Sequence, residues 1–505
     1  MHRTRGYRML EVVPGGLVWL TLFLAVILSF FAPVAAVVFI ILFDLCWLFR
    51  VCYFVGYLLF SWRRHRRDSA VDWAAKIQVE PGAKNLWHLV FLPTYKEDIE
   101  VLRATFRSLA AAAYPWRRER FIVVLAGEER DRERFDRVSA VLASEFGAEF
   151  AKLLVIAHPK DLPDEIPGKG SNLNWAGRQA QKTIDELGIP YEKVIVSSFD
   201  IDTCPHPQYF SALTAAYLAN PKPTRASYQP IALYNNNIWD APAAVRVAAF
   251  GTTFWLMTEL ARPERLFTFS SHSMSFRALV DVGFWQKDIV TEDSRIFLQC
   301  LLRYDGDYRV QPLFVPVSMD AVTGESYAES LRNLYKQQRR WAWGVEHFPF
   351  LVDSFRRKPN ISLAKKAYYL WNLAEGMYSW ATAPLLIFIL GHLPLWVASD
   401  AVRGSALFQT APHTLDVLMT MSMIGVFATA IVSLTLLPPK PKDRTWRDWL
   451  VMALQWVLVP ITFIVFGSFP AIDAQTRLMF GRYLGFNVTR KKRRDDGLAF
   501  AAQTV

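Results

Sequence analysis

Apolar positions divide the chain into three zones. Residues 15–62 and 367–469 are nearly continuous apolar stretches, and between them the apolar runs are short and broken by amphipathic segments. Residues 12–31 are long enough to cross roughly 30 Å of hydrocarbon. Their length and flanks set them apart from a cleaved signal peptide. Pro33 breaks the run and residues 34–62 cross back, so residues 1–67 read as a hairpin of two spans. In the last zone, residues 363–380 mix Lys365, Lys366, Asn372 and Glu375 with aromatics. That pattern suits an interfacial helix leading into a span at 381–398. Residues 415–437 form another span, and 449–469 a further one kinked at Pro460.

The middle zone alternates in a different way. Residues 86–93, 121–126 and 153–158 read as buried strands, and the run from Tyr191 as a fourth, ending at Asp200. Helical patterns occupy 99–112, a stretch from Arg130, and 172–187. Strands alternating with helices predict βαβ units and a mostly parallel sheet over a domain spanning 68–352.

Charge decides how these zones are arranged. The chain is 52% hydrophobic and 20% charged, with a formal net charge of +11. Much of the positive charge flanks the apolar zones, at Arg3–Arg8, Arg63–Arg67, Arg356–Lys358 and Arg490–Arg494. Basic flanks mark the cytoplasmic side of a membrane, so the middle domain is expected in the cytoplasm. No basic face or motif of the soluble part points to a nucleic-acid polymer. Three crossings after that domain would leave the basic tail outside, against the charge rule. Residues 353–505 are therefore read as an interfacial helix, three or four spans and a basic tail, giving five or six spans in all. Asp44 and Arg50 lie within the second span and are expected to form a structural pair against the C-terminal spans. Four cysteines without metal-like spacing are read as reduced or buried.

Chemistry-bearing residues cluster at predicted strand ends. Asp200 and Asp202 end the fourth strand one residue apart, where open α/β sheets bind ligands, and can hold Mg²⁺ or Mn²⁺. Four more clusters surround them: Pro93-Thr94-Tyr95-Lys96-Glu97, Lys169-Gly170-Ser171-Asn172-Leu173-Asn174, Thr291-Glu292-Asp293 and Gln337-Gln338-Arg339-Arg340-Trp341. Singly each has an ordinary reading, such as acids at a helix N-terminus or a solvated helix face. Together they supply the parts for moving a sugar off a nucleotide diphosphate. A metal and Arg340 would neutralise the leaving diphosphate. Asp293 would take the acceptor proton. Trp341 offers a flat face for a sugar ring. No glycine-rich dinucleotide or P-loop signature follows the first strand.

In this order the motifs P-T-Y-x-E, K-x-x-N-L-N, D-x-D, T-E-D and Q-x-x-R-W resemble those of membrane-embedded family 2 glycosyltransferases, the group holding cellulose and hyaluronan synthases. The resemblance covers roughly residues 89–341 plus the flanking spans. It implies an α/β GT-A fold, a nucleotide-diphospho-sugar donor, a divalent metal and an inverting mechanism. It implies that Thr94, Glu97, Glu128, Lys169, Asn172 and Asp200 bind the donor, with Glu128 standing where the family usually has an Asp-Asp pair. Asp202 would hold the metal and Asp293 would be the base. Gln337, Arg340 and Trp341 would line the diphosphate and acceptor. The implied partners are a saccharide or lipid acceptor, membrane lipids, and further synthase or export subunits. Processive polymerisation and single addition to a lipid both fit. A catalytically inactive scaffold of a synthase complex is the alternative; a transporter is disfavoured because the two ends show no repeat.

Overall fold

The computed structural model describes residues 4–441 and 444–485, so the basic run Arg490–Arg494 lies outside the described residues. Two long helices open the chain, α1 (Arg5–Phe31) and α2 (Pro33–Ser69). Thr4 caps α1 by accepting from the Tyr7 N–H, and Pro33 starts α2, where its missing N–H costs nothing. At 37 residues α2 is about 55 Å long, more than a bilayer needs. Its end runs on beneath the soluble domain, where Ser61 Oγ donates to the Met257 carbonyl.

The soluble domain follows as β1 (Trp87–Pro93), α3 (Ile99–Ala110), β2 (Phe121–Glu128), α4 (Arg132–Phe146), β3 (Lys152–His158), α5 (Lys169–Glu186) and β4 (Val194–Ser198). It continues with β5 (Cys204–Pro205), α6 (Tyr209–Ala219), β6 (Ala226–Leu233), α7 (Ala243–Leu260), β7 (His272–Ser275), α8 (Glu292–Arg303) and β8 (Arg309–Ser318). Helices α9 (Tyr327–Ala342) and α10 (His347–Arg356) lead back to the membrane.

One sheet of eight strands runs β3-β2-β1-β4-β7-β6-β8-β5. The β3-β2-β1-β4 half is parallel, with Leu89 beside both Ile122 and Val196. β7 then runs antiparallel to β4 and β6, so the sheet is mixed. β2 and β4 are buried on both faces, which is why they read as unbroken apolar runs. The parallel strands deliver Thr94, Glu128 and Asp200 to one edge, and β7 brings His272 beside Ser198.

Beyond α10 come α11 (Leu363–Val397), α12 (Ala406–Thr435) and an interrupted helix, α13 (Trp446–Met479). Among the described residues five helices are long and apolar enough to cross a membrane: α1, α2, α11, α12 and α13. Residues 363–397 form one unbroken helix, because the polar residues in its first half are satisfied from outside. Lys365 Nζ donates to the Gly306 carbonyl and Asn372 Nδ2 to the Arg265 carbonyl.

Asp44 and Arg50 do not pair with each other. Six residues apart, they face different sides of α2. Arg50 instead reaches Glu375 of α11 at 2.5 Å, and Asp44 is buried. Arg265 approaches the same Glu375 at 4.0 Å and reaches Glu259 at 3.2 Å, while Arg262 pairs with Glu259 and donates to the Tyr53 hydroxyl. These residues bind α2, α7 and α11 together in one belt of charge.

Candidate active site

The amino end of α5 sets the site's centre. Gly170 lies against the loop before α8: a Cβ there would stand 2.8 Å from the Gln286 carbonyl oxygen and 3.3 Å from Glu292 Cβ. That close approach puts the Lys169 ammonium among three carboxylates. Its Nζ is 2.7 Å from Asp200 Oδ1, 2.8 Å from Asp293 Oδ2 and 3.5 Å from Glu292 Oε1. Burial by itself would lower the Lys169 pKa, but Asp200, Asp293 and Glu292 outweigh it and raise it above the ordinary value. The D-x-D and T-E-D motifs, about ninety residues apart in sequence, thus meet across one lysine.

The two acids of T-E-D differ in environment. Glu292 is buried, and burial with the neighbouring Asp293 pushes it up to about 7. The Asp293 side chain keeps 21% of its exposure and faces the site. Its backbone carbonyl accepts from Thr268 Oγ1 at 2.6 Å, which fixes the helix start. His272 is fully buried, with Nδ1 2.9 Å from the Phe269 carbonyl and 4.0 Å from Asp293 Oδ1. Burial lowers its pKa despite the pull of Asp293.

The D-x-D pair is held in two ways. Asp200 accepts from Ser270 Oγ at 2.7 Å as well as from Lys169. Asp202 is fully buried, and its Oδ2 accepts from the Asp320 backbone N–H at 2.9 Å. Asn236 donates to the Asp202 carbonyl and to Asp320 Oδ1, closing this corner.

The Q-x-x-R-W motif arrives late in α9. Trp341 packs on Tyr234 with ring centroids 5.8 Å apart. Tyr234 feels Asp200, Asp202, Asp293 and Arg340 at once: burial first, then the three carboxylates, raise its pKa, against Arg340. Gln337 is buried beside it. Thr291 donates to Glu346 at 2.5 Å, and Trp343 Nε1 donates to the same carboxylate at 3.0 Å. Glu346 therefore ties T-E-D to Trp343, two residues past the Q-x-x-R-W motif.

The remaining predicted donor residues sit at the β1 and β2 ends. Glu97 Oε2 accepts from Thr94 Oγ1 at 2.8 Å and from the Tyr95 N–H at 2.6 Å, so the P-T-Y-x-E acid holds its own turn. Asn172 donates to the Ala126 and Gly127 carbonyls, locking α5 to β2. Glu128 is buried; it accepts from Arg130 at 2.9 Å and lies 3.2 Å from His158 Nδ1. Glu165 stands 3.0 Å from the other nitrogen of His158. Burial would lower the His158 pKa, but Glu128 and Glu165 raise it overall. Sequence reasoning marks Ser270–Ser273 as an acceptor-side segment but misses the bond from Ser270 to Asp200, Tyr234, Glu292 as a partner of Lys169, and the Asn236–Asp320 corner. None of them carries a spacing signal.

Residues 195–464, more than half of the chain, match the family model described as glycosyl transferase family group 2. The chain belongs to that family. This glycosyltransferase has no match among curated proteins. Similar solved structures include residues 1–349 of S. aureus TarS in complex with UDP-GlcNAc, at 13% identity, covering 69% of this chain and 91% of that one, with a TM-score of 0.35. The UDP complex of the same protein is similar at 12% identity, over 69% and 91% of the two chains, with a TM-score of 0.34.

Proposed function

We propose that this glycosyltransferase is an inverting hexosyltransferase, moving a sugar from a nucleotide-diphospho-sugar to a polysaccharide or lipid-linked acceptor at the cytoplasmic face of the cell membrane. The observation that carries the reading is the meeting of Asp200, Asp293 and Lys169, with Arg340 and Trp341 beside them. Residues 68–352 would form the cytoplasmic catalytic domain between the membrane-embedded ends.

Asp293 takes the proton of the acceptor hydroxyl. The acceptor oxygen bonds to the sugar's anomeric carbon as the bond to the diphosphate breaks, inverting that carbon. Arg340 balances charge on the departing diphosphate. Lys169, 2.8 Å from Asp293 Oδ2, holds it in place. Trp341, braced by Tyr234, provides the stacking face for the acceptor sugar.

A divalent metal fits the donor set. Mg²⁺ usually takes one or two carboxylates and fills its shell with substrate phosphates and water. Asp202 would be such a carboxylate here, with Asp200 on the donor side, and no group of three or more His, Cys, Asp or Glu suited to a metal is gathered among the described residues. When bound, Mg²⁺ or Mn²⁺ would supply further charge neutralisation for the diphosphate.

The test uses purified protein in lipid nanodiscs with a panel of UDP- and GDP-sugars. Wild type should transfer one of them, while Asp293→Asn should lose transfer and keep donor binding by calorimetry. Loss of donor binding in Asp293→Asn would remove Asp293 from the base role. No turnover by wild type with any donor would bring the scaffold reading forward.

A further inference from the structure

Helix α13 is long and apolar enough to cross a membrane, yet its contacts are not those of a crossing helix. Its start is attached to the soluble domain. Arg444 pairs with Asp240, Trp239 packs edge-on against Trp449 at 5.3 Å, and Arg246 of α7 donates to Gln455 Oε1 at 2.7 Å. Trp456 then lies against Phe250 and Phe254 of α7. Its far end is attached to the same domain. Arg339 of α9 donates to Asp473 Oδ2 at 2.8 Å, and Trp343 packs against Tyr483 just beyond. The far end also meets the beginning of α1. Arg8 donates to the carbonyls of Leu478 and Met479, and Trp19 Nε1 donates to Thr476 Oγ1 at 2.9 Å.

Thirty-four helical residues span about 51 Å. A helix crossing the bilayer would carry one end some 30 Å away from the soluble domain. Here both ends stay on it.

The helix's two sides agree with this geometry. Leu450, Leu454, Val457 and Ile461 repeat at helical spacing and are 46%, 58%, 78% and 58% exposed. Met452, Gln455, Val459, Thr462, Ala471 and Gln475 are buried on the protein side. The remaining four helices pair off in matching directions. Val18 and Ala25 of α1 pack near Ala381 and Leu386 of α11, and Val37 of α2 packs near Phe408 and Ala411 of α12. Val51 of α2 lies against Gly425 of α12. α1 and α11 thus run one way, α2 and α12 the other, an even number of crossings.

We infer that Trp446–Met479 does not cross the membrane but lies in the plane of the leaflet next to the catalytic domain, with its Leu450–Ile461 stripe in the acyl region. Lys440 and Arg447 near its start and Arg482 after its end are exposed and placed for anionic headgroups. Four crossings return the chain after Met479 to the side of the soluble domain. A break in regular helix sits mid-way, with 3₁₀ turns at Gln455–Leu458 and a π segment at Ile464–Ser468. It lets the helix follow the domain from α7 to α9.

Topology settles this without any activity measurement, so its outcome is separate from that of the transferase reading. Single cysteines at Ala401, Lys440 and Gly485 are placed in a chain whose four native cysteines are serine. They are labelled with a membrane-impermeant maleimide in sealed vesicles of both orientations. Lys440→Cys and Gly485→Cys should label from the same side, and Ala401→Cys from the other. Labelling of 440 and 485 from opposite sides would overturn the inference. If the serine background does not fold, epitopes inserted at residue 440 and appended to the tail, probed with antibody in inverted vesicles, give the same two outcomes. Spin labels at 450, 457 and 461 add depth. Equal, shallow depths support the in-plane helix, and a spread on the order of 16 Å refutes it.

Discussion

Lys169 gives the sharpest test of the site's electrostatics. Lys169→Met removes one positive charge from among Asp200, Asp293 and Glu292. At about 2.8 Å and an effective dielectric near 20, each close pairing is worth roughly 6 kcal/mol before desolvation is subtracted. Breaking such a pair costs roughly 3–5 kcal/mol net. Asp200 and Asp293 keep 27% and 21% of their side-chain exposure, so water screens them and the lower figure applies. Lys169→Met should therefore cost about 3 kcal/mol of stability. With Asp293 no longer held, transfer should fall about 100-fold. Lys169→Arg keeps the charge and should retain most of both. The assays are unfolding in detergent and initial-rate transfer of labelled sugar. Lys169→Met with wild-type stability and transfer would refute the reasoning.

Other outcomes follow from the same geometry. Glu292, pushed up to about 7, keeps a proton in the folded protein that the unfolded chain, at an ordinary 4.5, gives up. Stability should thus fall as pH rises between those values, and Glu292→Gln should flatten that slope in thermal unfolding. Asp202→Asn should weaken metal-dependent donor binding at least 10-fold by titration calorimetry; an unchanged metal requirement would remove Asp202 from the metal role. Trp341→Ala should slow transfer to acceptor more than donor hydrolysis, whereas equal losses would mark it as packing for Tyr234. Glu375→Gln strands Arg50 and should cost roughly 1–3 kcal/mol in detergent unfolding, without changing donor affinity.

Most of the parallel half of the sheet was legible because β1, β2 and β4 are buried on both faces. Leu89–Leu92 and Phe121–Ala126 stand out as unbroken apolar runs. β7 was not, since its residues His272, Ser273, Met274 and Ser275 look like a polar loop. They form a buried strand because Ser197 and Tyr209 satisfy Ser273, and Tyr217 satisfies Ser275. Order along the chain placed Asp200 and Asp293 among the candidate site residues, but not that one lysine would join them. The charges at the start of α11 hid its continuity. Their partners, Gly306 and Arg265, lie far away in sequence.

The charge belt of Arg50, Glu375, Arg265, Glu259 and Arg262 acts as a strut of fixed length. It bolts α7, and with it the sheet, to two helices of the bilayer. A domain mounted in this way would resist rocking towards or away from the lipid. On the proposed reading, Asp293 would then keep one height above the headgroups. A lipid-linked acceptor would have to bring its hydroxyl up to that height, and the length of its spacer would act as the ruler by which substrates are chosen.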